Sequence, residues 1–480
     1  MHSVEVMGEN KILGGKVNVK WSEVIGMTDA KEEAWEIVKL LKDRNLLKAI
    51  GGKIVKGVIM IGPPGCGKTY LAKAMATEAG FPFMSAVGSD LVGVFVGEGA
   101  RKMKEIFKEA RDLAKAEGGC IVFFDEVDSF ATPRGVDMGG GGMTSHNATV
   151  NQFLTELDGL RQQENNIVVL AATNVREDQL DPAILRAGRI ERKIYISLPN
   201  LQEREELFKY YLGKVKYEET ISPSVLARTA VGFTPSDIDN MIREAGLIAM
   251  RNNRDIIIHK DLSESYDRLT MGAVTNAKYT QKSLKKTAYH EAGHAILTYL
   301  VDPTDEVIKA TVRPRKGALG YIYTRAIEEL ESNSPNREHL LSKIKMLMAG
   351  YVAEKTALGT TGSGVGGGPG SDFHHAMTIA ARMVWSLGMG PSGMVGDFDA
   401  LKDRNGRHNI SEKTKEVLDS DVQSILQSCL KDTTDILNQQ KEVLEYFAQE
   451  LLKKGDLEYD EIKSIFQKFN LKPAAQIETS

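Results

Sequence analysis

The sequence predicts an α/β nucleotide-binding module, a parallel sheet with helices on both faces. A small helical lid follows it, and then a mainly α hydrolase domain. Three observations carry this expectation. Short apolar runs, GVIMI (57–61), CIVFFDE (120–126) and NIVVLAATN (166–174), alternate with longer helix-like segments. Uninterrupted apolar strands alternating with helices belong to parallel sheets buried on both faces. A phosphate-binding loop, GPPGCGKT (62–69), follows the first run directly. Much farther along, HEAGH (290–294) sits inside an apolar helix-like run, TAYHEAGHAILTYL (287–300).

Bulk composition narrows the class. A chain of 480 residues is too long for one core and suggests about three domains. Hydrophobic content of 42% and charged content of 26% belong to a globular protein. The net charge of −4, from 61 basic and 65 acidic residues, argues against nucleic acid as a main partner. Cys66, Cys120 and Cys429 are scattered, which points to a reducing interior and no disulfide framework. The longest apolar runs fall far short of the ~18 residues a membrane span needs. The first residues, MHSVEVMGENKILGG, lack the apolar core of a signal peptide.

Along the chain, residues 1–20 read as a linker and 21–200 as the large α/β subdomain. In the latter, TYLAKAMATEAG (69–80) is a helix stopped by a glycine, and KIYISLP (193–199) is a further strand. Residues 201–276 become amphipathic helix and form the lid. Residues 277–471 are mostly helical, with one strand-like piece, ALGYIYTR (318–325). Residues 472–480 read as a flexible tail. The glycine-rich stretches 137–144 and 359–371 read as loops.

A strand, GPPGCGKT and a helix in succession form a P-loop. The expected nucleotide contacts are Gly62, Pro63, Pro64, Gly65, Cys66, Gly67, Lys68, Thr69 and Tyr70, with Lys68 on the β/γ-phosphates and Thr69 on Mg²⁺. CIVFFDE delivers Asp125, which helps hold Mg²⁺, and Glu126, which polarises the attacking water. Asp128 reads as a helix N-cap. Asn174, ending the next strand, is placed to orient the same water. Arg189 and Arg192 lack an evident acidic partner nearby in sequence. In one subunit they are solvated surface groups; in a ring they reach a neighbour's γ-phosphate as arginine fingers.

This ordered set resembles the AAA family of ATPases. GFTPSDIDNMIREA (232–245) looks like the AAA lid motif. Phe95, Val96 and Gly97 resemble the aromatic–hydrophobic–glycine pore loop of protein-unfolding members.

In HEAGH, His290 and His294 lie one helical turn apart, so both can meet one Zn²⁺. Glu291 beside them is the candidate general base. A helix carrying two surface histidines gives the same spacing, but this run is too apolar to leave a histidine pair unpartnered. The third ligand lies farther on. Glu354, in AGYVAEKTA, and Asp372, in PGSDFHHAMTIAARMV, are candidates, with His374 and His375 close by. Asp372 can also be read as the N-cap of the helix it precedes.

HEAGH behind an AAA module resembles the FtsH-type ATP-dependent metalloproteases. The likeness spans roughly residues 21–400: WSEVIG (21–26), the P-loop, DEVD, LRAGRIER, GFTPSD, TAYHEAGHA, RPRKGALGY (313–321), AGYVAEK (349–355) and GSDF. The resemblance implies that Asp372 is the third zinc ligand, which leaves Glu354 to orient a ligand histidine. It implies that ALGYIYTR lines a substrate cleft. It further implies a homohexamer acting on unfolded or misfolded proteins on the cytoplasmic or organelle-matrix side, with membrane association only through an N-terminal anchor absent from this sequence. The chain departs from the family in four places. Transmembrane segments are missing, and SHNAT (145–149) replaces an acidic–basic run. RAGRIER replaces RPGRFDR but keeps both arginines, and the loop before Asp372 is longer. The expected activity is ATP-dependent zinc endopeptidase: ATP drives unfolding, because folded substrates hide their backbones behind about 5–15 kcal/mol. An AAA remodelling ATPase with an inert protease half is the alternative, against which the intact His290, Glu291, His294 and Asp372 stand.

Overall fold

A computed structural model describes residues 17–42, 55–92, 97–132, 142–162, 166–272, 280–315, 319–326, 336–362, 366, 368–402 and 408–474. The chain forms two compact units, Met1–Asp261 and Leu262–Ser480.

The first unit is built on five parallel strands: β1 (Gly57–Ile61), β2 (Phe83–Val87), β3 (Cys120–Asp125), β4 (Ile167–Thr173) and β5 (Arg192–Tyr195). Their order is β2-β3-β4-β1-β5. Strand residues alternate between two cores. Ile59, Val122, Phe124 and Val169 face one side, and Val58, Met60, Phe123 and Leu170 face the other. Both faces are dry, so the strands carry no polar alternation. The fold class matches the expectation, with two adjustments. FMSAV, which lies beside a glycine and a proline, forms the edge strand β2, unforeseen from the sequence. β5 stops at Tyr195, short of residue 199.

Helices α1 (Thr28–Lys42), α2 (Lys68–Ala79), α3 (Glu98–Glu117) and α4 (Gly142–Gln162) accompany this sheet. α2 runs between two left-handed glycines, Gly67 (φ +90°) and Gly80 (φ +71°); glycine takes that conformation without steric cost. The lid comprises α5 (Leu201–Leu212), α6 (Pro223–Thr229), α7 (Pro235–Arg251) and the start of α8 (His259–Met271). α5 opens with a capping box between Asn200 and Glu203. α7 opens with Thr234 as cap, Pro235 in its first turn and Asp237 closing the box.

The second unit contains α9 (Gln281–Val301), α10 (Arg337–Leu358), α11 (Asp372–Trp385), α12 (Glu412–Gln439), α13 (Lys441–Lys454) and α14 (Tyr459–Lys468). It also holds a small antiparallel sheet of β6 (Asp305–Thr311), β7 (Tyr321–Ala326) and β8 (Asp456–Glu458), ordered β7-β6-β8. Only β7 is foreshadowed by the sequence; β6 and β8 fall in a region expected to be otherwise helical. α9 and α10 pack backbone to backbone. A Cβ on Gly293 would lie 2.6 Å from the Ala349 carbonyl, and one on Gly350 would overlap the His290 ring. Among the described residues no helix is long and apolar enough to cross a membrane.

Candidate functional site

The phosphate-binding loop joins β1 to α2. Gly62 touches the Ile196 backbone, and Gly65 is left-handed with φ +76°. Pro64 is exposed, while Cys66 is buried, and burial pushes its thiol upward. Lys68, 6% exposed, donates Nζ to the carbonyls of Gly62 (2.7 Å) and Pro63 (2.8 Å) and to Asn174 Oδ1 (2.7 Å). Burial holds its ammonium below the ordinary lysine range. Thr69 Oγ1 donates to Asp125 Oδ2 at 2.7 Å, so the two expected Mg²⁺ contacts meet. Tyr70 is partly exposed, its phenol pushed up to about 12 by burial and then by neighbouring Tyr210.

Glu126 stands exposed at the end of β3 in a left-handed conformation, φ +51°. Such backbone strain in a non-glycine residue concentrates at functional sites. Asp128 is not a helix cap. Its Oδ1 accepts from Thr173 Oγ1 at 2.7 Å and from the Asn174 N–H at 3.4 Å, tying the ends of β3 and β4 together. Sequence reading missed this because the partner lies 45 residues away. The lid motif also reaches the loop: Ser236 Oγ donates to the Gly65 carbonyl at 3.0 Å.

The two arginines differ. Arg189 is bound within its own chain, Nε and Nη2 donating to Asp158 at 2.9 and 2.7 Å and Nη1 to the Ala183 carbonyl at 2.7 Å. Its acidic partner, Asp158 on α4, lies 31 residues away, outside the neighbouring sequence in which none is evident. Arg192 is exposed on β5. Gly97, with φ +87°, caps α3. Phe95 and Val96 lie outside the described residues.

In the second unit, His290, His294 and Asp372 bring one ligand atom each within 4.8 Å of one another. His290 Nε2 lies 3.1 Å from both His294 Nε2 and Asp372 Oδ2. The other ring nitrogens are committed: His290 Nδ1 meets Glu354 Oε1 at 2.9 Å, and His294 Nδ1 meets the Met346 carbonyl at 2.7 Å. That turns both Nε2 atoms toward the centre, where the neutral rings can offer them as ligands. Two imidazole nitrogens and one carboxylate, with a position left for water, fit Zn²⁺. Burial alone would lower the His290 imidazole, yet the carboxylates of Asp372 and Glu354 outweigh it and hold the ring well above its usual value. The cluster thus favours positive charge. Asp372 is the first helical residue of α11 and not its cap; Ser371 is, accepting from the His374 N–H. His374 and His375 are exposed.

Glu291 is buried, and burial raises its carboxyl above the ordinary range. A cleft of about 920 Å³ opens over these groups and is lined by Tyr321, Ile322 and Thr324 of β7. Among the described residues β7 pairs with β6 on one side only, which leaves its other edge to a further strand. Gly320 lets the strand come close: a Cβ there would lie 2.5 Å from Thr287 and 3.1 Å from Glu291.

Three family models match the chain: ATPase family associated with various cellular activities (AAA) over residues 58–198, the AAA+ lid domain over 221–264, and peptidase family M41 over 277–465. The chain is 39% identical over 463 residues to the ATP-dependent zinc metalloprotease FtsH of Borreliella burgdorferi (strain ZS7), covering 95% of this chain and 70% of the relative. It is 38% identical over 460 residues to ATP-dependent zinc metalloprotease FtsH 2 of Methylacidiphilum infernorum (isolate V4), covering 94% and 70%. To FtsH of Bacillus subtilis (strain 168) the identity is 36% over 459 residues, with the same coverage.

Proposed function

Since the chain belongs to the FtsH family of ATP-dependent zinc metalloproteases, we propose that it unfolds protein substrates, threads them through a ring pore and cleaves them processively. It is an ATP-dependent zinc metalloprotease, using Zn²⁺, ATP and Mg²⁺. The observation that carries the finer reading is the open edge of β7 above the His290–His294–Asp372 cluster. An extended peptide adds there as a strand, so substrate must arrive unfolded.

In this reading His290, His294 and Asp372 hold Zn²⁺, which when bound supplies Lewis acidity toward a water and a peptide carbonyl. Glu291 takes the proton of the attacking water, and its raised carboxyl suits it to keep that proton until the amine leaves. Glu354 and the Met346 carbonyl hold the two rings in register. In the first unit Lys68, Thr69 and Asp125 hold MgATP, Glu126 activates water, and Asn174 orients it. Arg192 reaches the neighbour's nucleotide in a homohexamer, while Arg189 braces the loop that carries it. The chain divides at about residues 20, 200, 276 and 471 into linker, large subdomain, lid, peptidase and tail. It works on the cytoplasmic or organelle-matrix side.

Phe95 grips the substrate. Phe95→Ala is expected to retain cleavage of short peptides and to lose ATP-dependent degradation of a folded protein. Equal loss of both activities would sink the threading model.

A further inference from the structure

Among the described residues three cations line the cleft: Lys286, Arg315 and Lys343. Two are neutralised within the protein. Arg315 Nη2 donates to Asp267 at 3.0 Å. Lys343 Nζ lies 2.9 Å from Asp302 and 2.7 Å from Asp305. Lys286 is half-buried and, among the described residues, has no ion pair.

The nearby carboxylates are turned to other partners, and neither forms an ion pair with it. Glu354 uses one oxygen on His290 and the other on the Gly362 N–H. Asp372 lies against both histidines. Gly362 makes room for the lysine: a Cβ there would come within 3.2 Å of Nζ. Lys286 precedes His290 by four residues on α9, so it shares the metal-site face one turn away, about 5–6 Å along the helix. An extended peptide rises about 3.3 Å per residue, so that turn spans about two residues of substrate.

We propose that Lys286 is a specificity-determining residue that selects an aspartate or glutamate side chain of the substrate about two residues from the scissile bond, on the side lying over the N-terminal part of α9. The proposal rests on the reading of the cleft as a peptide-binding groove. The ligand chemistry is a carboxylate, the partner that a partly desolvated ammonium lacks here. A partly exposed ion pair of this kind corresponds to a preference of roughly two- to fivefold.

The test uses the full chain, loaded with zinc, and matched peptides carrying Glu or Gln at each position around one cleavable bond. Wild type should favour Glu over Gln at a single position by roughly two- to fivefold, through KM and not kcat. Lys286→Met should equalise the two peptides, and Lys286→Glu should reverse the preference toward a Lys peptide. The preference should shrink as salt rises. Fluorescence anisotropy of the same labelled peptides with Glu291→Gln should give the same ratio without turnover. A Glu/Gln ratio unchanged between wild type and both Lys286 variants overturns the proposal while leaving the groove reading intact. Peptides that are neither bound nor cleaved by wild type overturn both.

Discussion

Glu354 Oε1 lies 2.9 Å from His290 Nδ1, while its other oxygen accepts the Gly362 N–H at 2.5 Å. One buried carboxylate thereby fixes both the ring of a metal ligand and the loop entering the site. Partners of this type are worth about 10–100-fold in metal affinity or activity. Glu354→Gln should retain most zinc at saturating metal but lose it to a chelator at 10–100-fold lower concentration. Asp372→Asn should strip zinc and end proteolysis while ATP hydrolysis continues. Metal content of the purified variants decides; zinc kept by Asp372→Asn and lost by Glu354→Gln would reverse the two roles.

Arg189 and Arg192 should separate cleanly. Arg189→Ala breaks a two-pronged contact with half-exposed Asp158, worth about 1 kcal/mol, and should lower the melting temperature of its unit by about 2–4 °C. Arg192→Ala should leave that temperature unchanged and reduce ATP turnover by about 10³-fold with nucleotide binding retained. Equal turnover losses in the two variants would contradict the division of labour.

Gly350→Ala should behave as a metal-site mutation although it removes no functional group. The added methyl overlaps the His290 ring. Either the helices part or the ring moves, at about 1–3 kcal/mol. Calorimetry and zinc titration of the same sample should both register the change. A variant with normal melting and normal zinc affinity would refute the close packing.

The cluster of buried Asp302 with partly buried Asp305 and Lys343 predicts an acid limit. Burial alone would raise the Asp302 carboxyl, but Lys343 and the Thr304 donors outweigh it and hold it below the usual range. Stability from a lowered carboxyl is complete above its unfolded value, about 3.9, and is lost as pH falls through the lower folded value. Lys343→Met should therefore move the acid unfolding midpoint of this unit to higher pH. At the alkaline end, burial disfavours the Lys343 ammonium, yet Asp305 and Asp302 raise it above its ordinary value. Its contribution persists below pH ~10.4 and fades above that. An unchanged acid midpoint in Lys343→Met would rule the cluster out as the cause.

Much of this architecture is legible in sequence because its signals are local. The apolar strands β1, β3 and β4, the glycines that start and stop α2, and HEAGH each declare themselves within a few residues. What escaped depends on distance or on brevity. β6, DEVIKAT, mixes charged and apolar residues without a clean alternation, and three-residue β8 is too short for a pattern and exists only by pairing with β6. Asp158 draws no notice and Asp128 reads as a helix N-cap until the fold brings Arg189 and Thr173 to them. Ser371, not its neighbour Asp372, caps α11; the two are adjacent acceptors, and only geometry separates them. Lys286 carries no motif at all. It emerges only once the other two cations of the cleft are seen to be paired.

The close approach of α9 and α10 at Gly293 and Gly350 has a consequence for ionic size. The His290 ring rests on bare backbone, so it has no slack through which to shift toward α10. Its far nitrogen is pinned by Glu354, and His294 is pinned by the Met346 carbonyl. The positions of the two ring nitrogens are consequently set by helix packing and by these hydrogen bonds, while the Asp372 carboxylate approaches from α11. A pair of imidazoles held in this way selects by ligand type as well as by bond length. It suits metal–nitrogen bonds of about 2.0–2.1 Å, as zinc makes, and offers little to calcium, which takes oxygen ligands at about 2.3–2.6 Å.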